Sequence, residues 1–169
     1  MFQNILVTLD CSSHSESALM EAIDLARAAG GRLTMLACIP HPPSWACTPV
    51  SAAALPALSE ELRRDAEQNL RCAVDRVPTS VPVTTILSPD PIRKALACEL
   101  KRGCHDLLVV GAHGAGPVGG GIANYARKHA SIAVLLVHAE QTEAAPSDVQ
   151  ANNPVPAADP RSDPLPATG

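Results

Sequence analysis

Six of the ten glycines fall in one stretch, Gly111-Ala-His-Gly-Ala-Gly-Pro-Val-Gly-Gly-Gly121. Glycines at that density let backbone N–H groups converge on an anion. A helix starting directly afterwards adds its positive N-terminal end, so a phosphate is the natural ligand. The alternative is a plain turn, which glycine suits equally. A second chemical group is Asp10, which closes the apolar run Asn4-Ile-Leu-Val-Thr-Leu-Asp10. A carboxylate at a strand end can accept a ribose hydroxyl, or it can serve as a cap or turn residue.

The same stretch contains a literal G-x-G-x-x-G at Gly114, Gly116 and Gly119, with Glu140 about 20 residues on. A dinucleotide fold needs further βα units after that fingerprint, and here only one short helix, one strand and a tail remain. A dinucleotide-dependent oxidoreductase is therefore the reading from another class, set aside for want of strands. No Gly-Lys-Ser/Thr occurs, which excludes a Walker-type loop. The six cysteines form no Cys-x-x-Cys, and Cys38, Cys72 and Cys98 fall in apolar periodic segments where a reduced thiol is a small hydrophobe. The six histidines make no His-x-x-x-His pair, and His113 is expected to face solvent. Neither a metal site nor a nucleophile with its base is legible.

The elements that position these groups alternate. Asn4–Asp10 reads as a buried strand, and 15–29 as a helix with Leu19, Ala22, Ile23 and Ala26 on one stripe, stopped by Gly30-Gly31. Arg32–Ile39 is a second strand. Residues 40–58 hold Pro40, Pro42, Pro43, Pro49 and Pro56, too many for a regular element, and predict a long surface excursion. A helix is expected over 59–76, with Leu62, Ala66, Leu70, Ala73 and Val77 at helical spacing. Val81–Leu87 is a third strand, after which Asp90 is expected to cap a helix with Pro91 at its first position and Ile92, Leu96 and Leu100 buried. The sequence then predicts a strand over 105–111, a helix over 122–129 and a strand over Ala133–His138. Strand and helix in alternation mean βαβ crossovers and a parallel sheet. Right-handed crossovers with one reversal after strand one give the order 3-2-1-4-5 with helices on both faces.

Length and charge narrow the partners. At 169 residues the chain has room for one ordinary domain. The net charge of −4 sits entirely in 140–169, where five carboxylates face the single Arg161. The neutral remainder offers no footprint for nucleic acid or an anionic membrane. Phe2, Trp45 and Tyr125 are the only aromatics, too few for base stacking, so the core is aliphatic. No apolar run approaches bilayer length and the Met1 end lacks a signal-peptide pattern, which makes the cytoplasm the expected location. The tail holds six of the 16 prolines without apolar periodicity and is expected to be disordered. The expected division is a domain over 1–139 and a tail over 140–169.

The residues at both ends of the domain resemble the universal stress proteins of the UspA superfamily. The opening Ile-Leu-Val-Thr-Leu-Asp10, then Ser12, His14-Ser15-Glu16, Ala18-Leu19 and Glu21-Ala-Ile-Asp-Leu-Ala26 carry the likeness. So do Cys104-His-Asp-Leu-Leu-Val-Val-Gly-Ala-His-Gly114, Ile122-Ala, Lys128-His-Ala130 and Val134-Leu-Leu-Val137, in order over about residues 2–138. The resemblance implies a Rossmann-like α/β fold, dimerisation through the strand Ala133–His138 and, in one branch, ATP held by Gly-x2-Gly-x9-Gly-Ser/Thr. Gly111 and Gly114 match the first half. Aligned on Lys128-His129-Ala130, Gly120-Gly121 stand at the second half, with five intervening residues instead of nine and no hydroxyl.

Carried over by position, the family's adenosine contacts fall on Thr8, Leu9, Asp10, Cys38, Val110 and Gly111, and its phosphate contacts on Gly114, Gly120, Gly121 and the helix start at Ile122. The resemblance thus implies a stress-response module binding ATP, AMP or another adenine nucleotide in a crevice between strands one and four, acting as a homodimer. The competing expectation is a member of the branch without ATP, working purely through protein interactions. Family members are mostly binders or regulators with at most slow hydrolysis, so a non-enzyme is expected.

Overall fold

The protein is described by a computed structural model covering residues 2–10, 12–41, 54–112 and 121–139. The elements run β1 (Asn4–Leu9), α1 (Ser13–Ala29), β2 (Arg32–Cys38), α2 (Leu55–Asp75), β3 (Val83–Ser88), α3 (Ile92–Lys101), β4 (Leu107–Gly111), α4 (Ile122–His129) and β5 (Ala133–Val137). The five strands form one all-parallel sheet of order β3-β2-β1-β4-β5, as the alternation predicts. The chain reverses direction across the sheet between β1 and β4, which leaves the carboxyl ends of those two strands as the switch point.

Burial on both faces explains the unbroken apolar strands. Side chains alternate across a strand, so Ile5, Val7, Leu33, Met35, Leu107 and Val109 pack on one face against Ala18, Leu19, Ala22 and Ile23 of α1 and Leu70 and Ala73 of α2. Leu6, Leu36, Leu108 and Val110 pack on the other against Ala95 and Leu96 of α3 and Ala126 of α4. The apolar helix stripes read from spacing are the buried faces of α1 and α2.

Several boundaries differ from expectation for local reasons. Helix α1 begins at Ser13 because Ser12 is its cap: the Ser12 Oγ accepts from the Ser15 N–H at 3.1 Å and its carbonyl from the Glu16 N–H at 3.0 Å. It ends at Gly30, whose φ of 61° is the left-handed cap glycine favours. Helix α2 starts at Leu55, inside the stretch expected to be loop, since Pro56 in a first turn loses no helical hydrogen bond. Asp90 does not cap α3. The cap is Pro91, whose carbonyl accepts from the Lys94 and Ala95 N–H groups, while Asp90 lies outside and pairs with Lys94 at 2.9 Å. On α3 the polar Glu99 is buried beside Ala95 and Leu96. Cys72 and Cys98 are exposed rather than packed, so filler is the wrong description for them. β3 starts at Val83 instead of Val81, β4 at Leu107 instead of His105, and β2 and β5 end one residue early, at Cys38 and Val137. The expectations for most of loop 40–58, for His113 and for the tail 140–169 lie outside the described residues.

Candidate functional site

The carboxyl edge of the sheet is where β1, β2 and β4 release the chain. Leu9 ends β1, and Asp10 follows it into the start of α1. There one Asp10 carboxylate oxygen accepts from the Ser12 N–H at 3.1 Å and from the Ser12 hydroxyl at 2.6 Å, while the Asp10 N–H donates to Ser15 Oγ at 3.1 Å. Asp10 is thus the turn residue the sequence allowed, and it stays exposed at the rim. Thr8 is 5% exposed, and its carbonyl accepts from the Ser15 hydroxyl at 3.5 Å.

Beside Asp10 opens a cavity of about 490 Å³. Its floor is Leu9 of β1 with Ala37 and Cys38 of β2, and one side is Ile39, Pro40 and His41. Helix α2 supplies the facing wall through Leu62, Asp65, Ala66, Asn69 and Leu70, and Pro91 and Ile92 close the end. The volume and the mostly apolar lining suit a small organic ligand with a planar apolar part. Burial, helped by the negative charge of Asp90, pushes the Cys38 thiol up to about 11. Cys38 is therefore an uncharged wall and no nucleophile.

Of the residues the sequence singled out, the cavity gathers Leu9, Asp10 and Cys38. Val110 is wholly buried under the helices on the other face. Gly111 has a definite packing role: a Cβ there would stand 2.6 Å from the His14 carbonyl carbon and 2.7 Å from its oxygen, so only glycine lets the end of β4 pass the start of α1. Gly121 is the N-cap of α4 and makes no side-chain capping bond, so the amides of that first turn have no cap side chain. Ile122 is half-buried against the second core cluster. Gly114 and Gly120 lie outside the described residues. Within those residues the open cavity lies toward β2 and α2, to one side of the β1–β4 crevice that the sequence pointed to.

Sequence reasoning missed the α2 wall. Leu62, Ala66 and Leu70 have core spacing, and only the tertiary arrangement shows that small Ala66 and its neighbours leave room above β2. A signal was present in Asp65 and Asn69, polar groups flanking that stripe. Among the described residues no group of three or more His, Cys, Asp or Glu is placed to hold a metal. No helix there is long and apolar enough to cross a membrane.

Comparison with curated protein sequences returns no match. Among solved structures the chain is similar to the universal stress protein UspA from Lactobacillus plantarum, at 24% identity over 80% of this chain and 97% of that one, with a TM-score of 0.57. It is also similar to a universal stress protein family member from Burkholderia pseudomallei, at 24% identity over 80% and 95% of the two chains and a TM-score of 0.64. A third is a universal stress protein family protein from Arabidopsis thaliana solved with AMP bound, at 18% identity over 86% and 97% and a TM-score of 0.59. These likenesses establish the Rossmann-like fold. The sequence pattern of the universal stress protein family itself matches residues 1–138, and with the sheet order in agreement, the chain belongs to that family.

Proposed function

We propose that the protein is an adenine-nucleotide-binding regulatory module of the stress response, with a domain over 1–139 that acts as a homodimer in the cytoplasm and catalyses no reaction. The observation that carries this reading is the apolar cavity of about 490 Å³ at the carboxyl ends of β1 and β2, with the Asp10 carboxylate at its rim. An adenine ring fits apolar walls, a ribose hydroxyl can donate to Asp10, and the first turn of α4 offers amide donors for phosphate. That the Arabidopsis relative carries AMP supports the choice of base. Dimerisation is argued from β5, an edge strand whose Val134, Leu135, Leu136 and Val137 are only half-buried and whose open edge invites pairing with a second copy.

Calorimetric titration of the full chain with AMP and ATP tests the nucleotide reading. Saturable binding in the micromolar to millimolar range, lost on Ala66→Leu with the circular dichroism unchanged, is expected. An absence of heat with either nucleotide at millimolar concentration rejects it. A protein-interaction module without nucleotide is the second reading, favoured by Gly121, which stands where the family pattern has a hydroxyl and gives α4 no side-chain cap. Sedimentation at micromolar concentration decides the dimer, since a monomer there contradicts pairing through β5.

A further inference from the structure

The amino edge of the sheet, opposite the nucleotide cavity, holds a smaller cavity of about 200 Å³ on the face covered by α3. Thr34 of β2 with Thr84 and Ile86 of β3 form its floor, and Glu99 of α3 with His105, just before β4, form its wall. Arg32 and Arg102, both exposed, stand at its rim.

The wall is polar and yet buried. The Glu99 and His105 side chains are 7% and 6% exposed, and neither His105 ring nitrogen has a hydrogen-bond partner among the described residues. A buried imidazole left in that condition costs stability unless another molecule bonds to it. Burial keeps the ring neutral, and the tautomer protonated at Nδ1 leaves Nε2 able to accept.

The spacing of the wall decides what fits between its two groups. His105 Nε2 is 3.9 Å from Glu99 Oε2. A donor nitrogen at about 2.8 Å from both atoms sees them about 90° apart, which two hydrogens of one ammonium can span. A metal ion at about 2.1 Å from both would need about 135°, far from tetrahedral. It would also lack a third His, Cys, Asp or Glu ligand among the described residues. The C-terminal end of α3, closing at Arg102, adds negative partial charge on the same side.

The rim has the opposite sign. Arg102 reaches Glu99 Oε1 at 3.4 Å, whereas Arg32 is in no ion pair among the described residues. Asp106, the other carboxylate acting on the His105 ring, is committed to the N–H groups of Gln3 and Asn4 at 2.7 and 3.0 Å. The Arg32 guanidinium can therefore take a carboxylate from outside the chain through two parallel bonds.

We propose that this amino-edge cavity is a second ligand site that takes a small α-amino acid, with the ammonium held between Glu99 and His105 and the carboxylate held by Arg32. A water molecule fills about 30 Å³ of liquid, so the volume suits roughly half a dozen heavy atoms, the size of glycine, alanine or serine. The threonine hydroxyls of the floor can bond either end of such a ligand. The site is independent of the nucleotide reading.

The test is an NMR titration of the full chain that follows the His105 ring resonances. The ligands are glycine, alanine and serine, with methylammonium and acetate as controls that carry one charged end each. At least one amino acid is expected to shift the ring saturably at millimolar concentration, with an affinity at least about tenfold above either control. Arg32→Gln, at an exposed position, should weaken that amino acid at least about fivefold and leave the weaker methylammonium binding unchanged. Glu99→Gln should weaken both. An amino acid that binds no more tightly than a control overturns the proposal, and so does binding indifferent to Arg32→Gln. No saturable shift with any compound at tens of millimolar overturns it as well and assigns the cavity to water. None of these outcomes bears on the nucleotide reading, which is read at the other edge of the sheet.

Discussion

At the amino ends of β1 and β4 the Asp106 carboxylate accepts from the N–H groups of Gln3 and Asn4 at 2.7 and 3.0 Å, and the Asp106 N–H donates to the Asn4 carbonyl at 3.0 Å. The Arg32 N–H donates to the Gln3 carbonyl at 2.8 Å, and Gly31 lies so close to Gln3 that a Cβ would stand 2.7 Å from its oxygen. At the carboxyl edge β1 turns into α1 within three residues while β2 and β4 run into longer connections, and a cavity of about 490 Å³ remains beside Asp10. One edge of the sheet is laced by backbone and carboxylate bonds, and the other holds an open cavity beside Asp10.

The laced edge has one polar interior of its own. The Glu99 and His105 side chains are 7% and 6% exposed, with His105 Nε2 3.9 Å from Glu99 Oε2, too far for a hydrogen bond. Neither His105 ring nitrogen has a hydrogen-bond partner. Burial pushes the His105 pKa down, with the Glu99 carboxylate opposing it, so the ring is neutral at neutral pH. The Arg102 guanidinium reaches Glu99 at 3.4 Å from the outside.

The strongest way to break the comparison is to fill the one glycine contact at each edge. Gly111→Val puts branched carbon into the His14 backbone and is expected to cost about 3 kcal/mol or more, read as a lowered urea midpoint. Gly31→Ala at the other edge should cost about 2 kcal/mol, since one methyl against the Gln3 carbonyl forces the turn to shift. A Gly111→Val protein as stable as its parent would mean that β4 and α1 do not meet as described.

Next come the two carboxylates that occupy equivalent places. Asp106→Ala removes two charge-assisted bonds that join β1 to the start of β4, and should cost about 2 kcal/mol with little change in ligand affinity. Asp10→Ala removes an exposed local link to Ser12 and should cost about 0.5–1 kcal/mol in denaturant titration while weakening nucleotide binding. The opposite ranking in stability would erase the distinction between the edges.

The smallest effect is that of pH. A histidine with a pKa below its unfolded value of 6.5 takes up a proton on unfolding more readily than when folded. Its stabilising contribution is complete above that pH and is lost as the pH falls below it. The urea midpoint should therefore decline between pH 6.5 and 5 more steeply in the parent than in His105→Gln, which has no such proton to gain. Equal slopes would show that His105 takes up its proton alike in the folded and the unfolded chain.

Much of this architecture was readable in the residues. The apolar runs of β1, β2 and β4, the helical stripes of α1 and α2 and the glycine stop at Gly30 are local signals, each enforced within a few residues, and alternation then dictates the parallel sheet of order 3-2-1-4-5. That Asp10 and Cys38 lie together at the carboxyl edge was legible because a strand's carboxyl end is a place in the sequence as well as in space. The start of α2 was misread, since proline looks like a breaker until its helical position is known. The α2 wall, the burial of Glu99 and the contact of Gly111 with His14 could not be read at all. Each depends on the distance between elements far apart in the chain, set by how two helices settle on a twisted sheet, and a one-dimensional pattern of apolar positions specifies which side chains turn inward without saying how closely the layers approach.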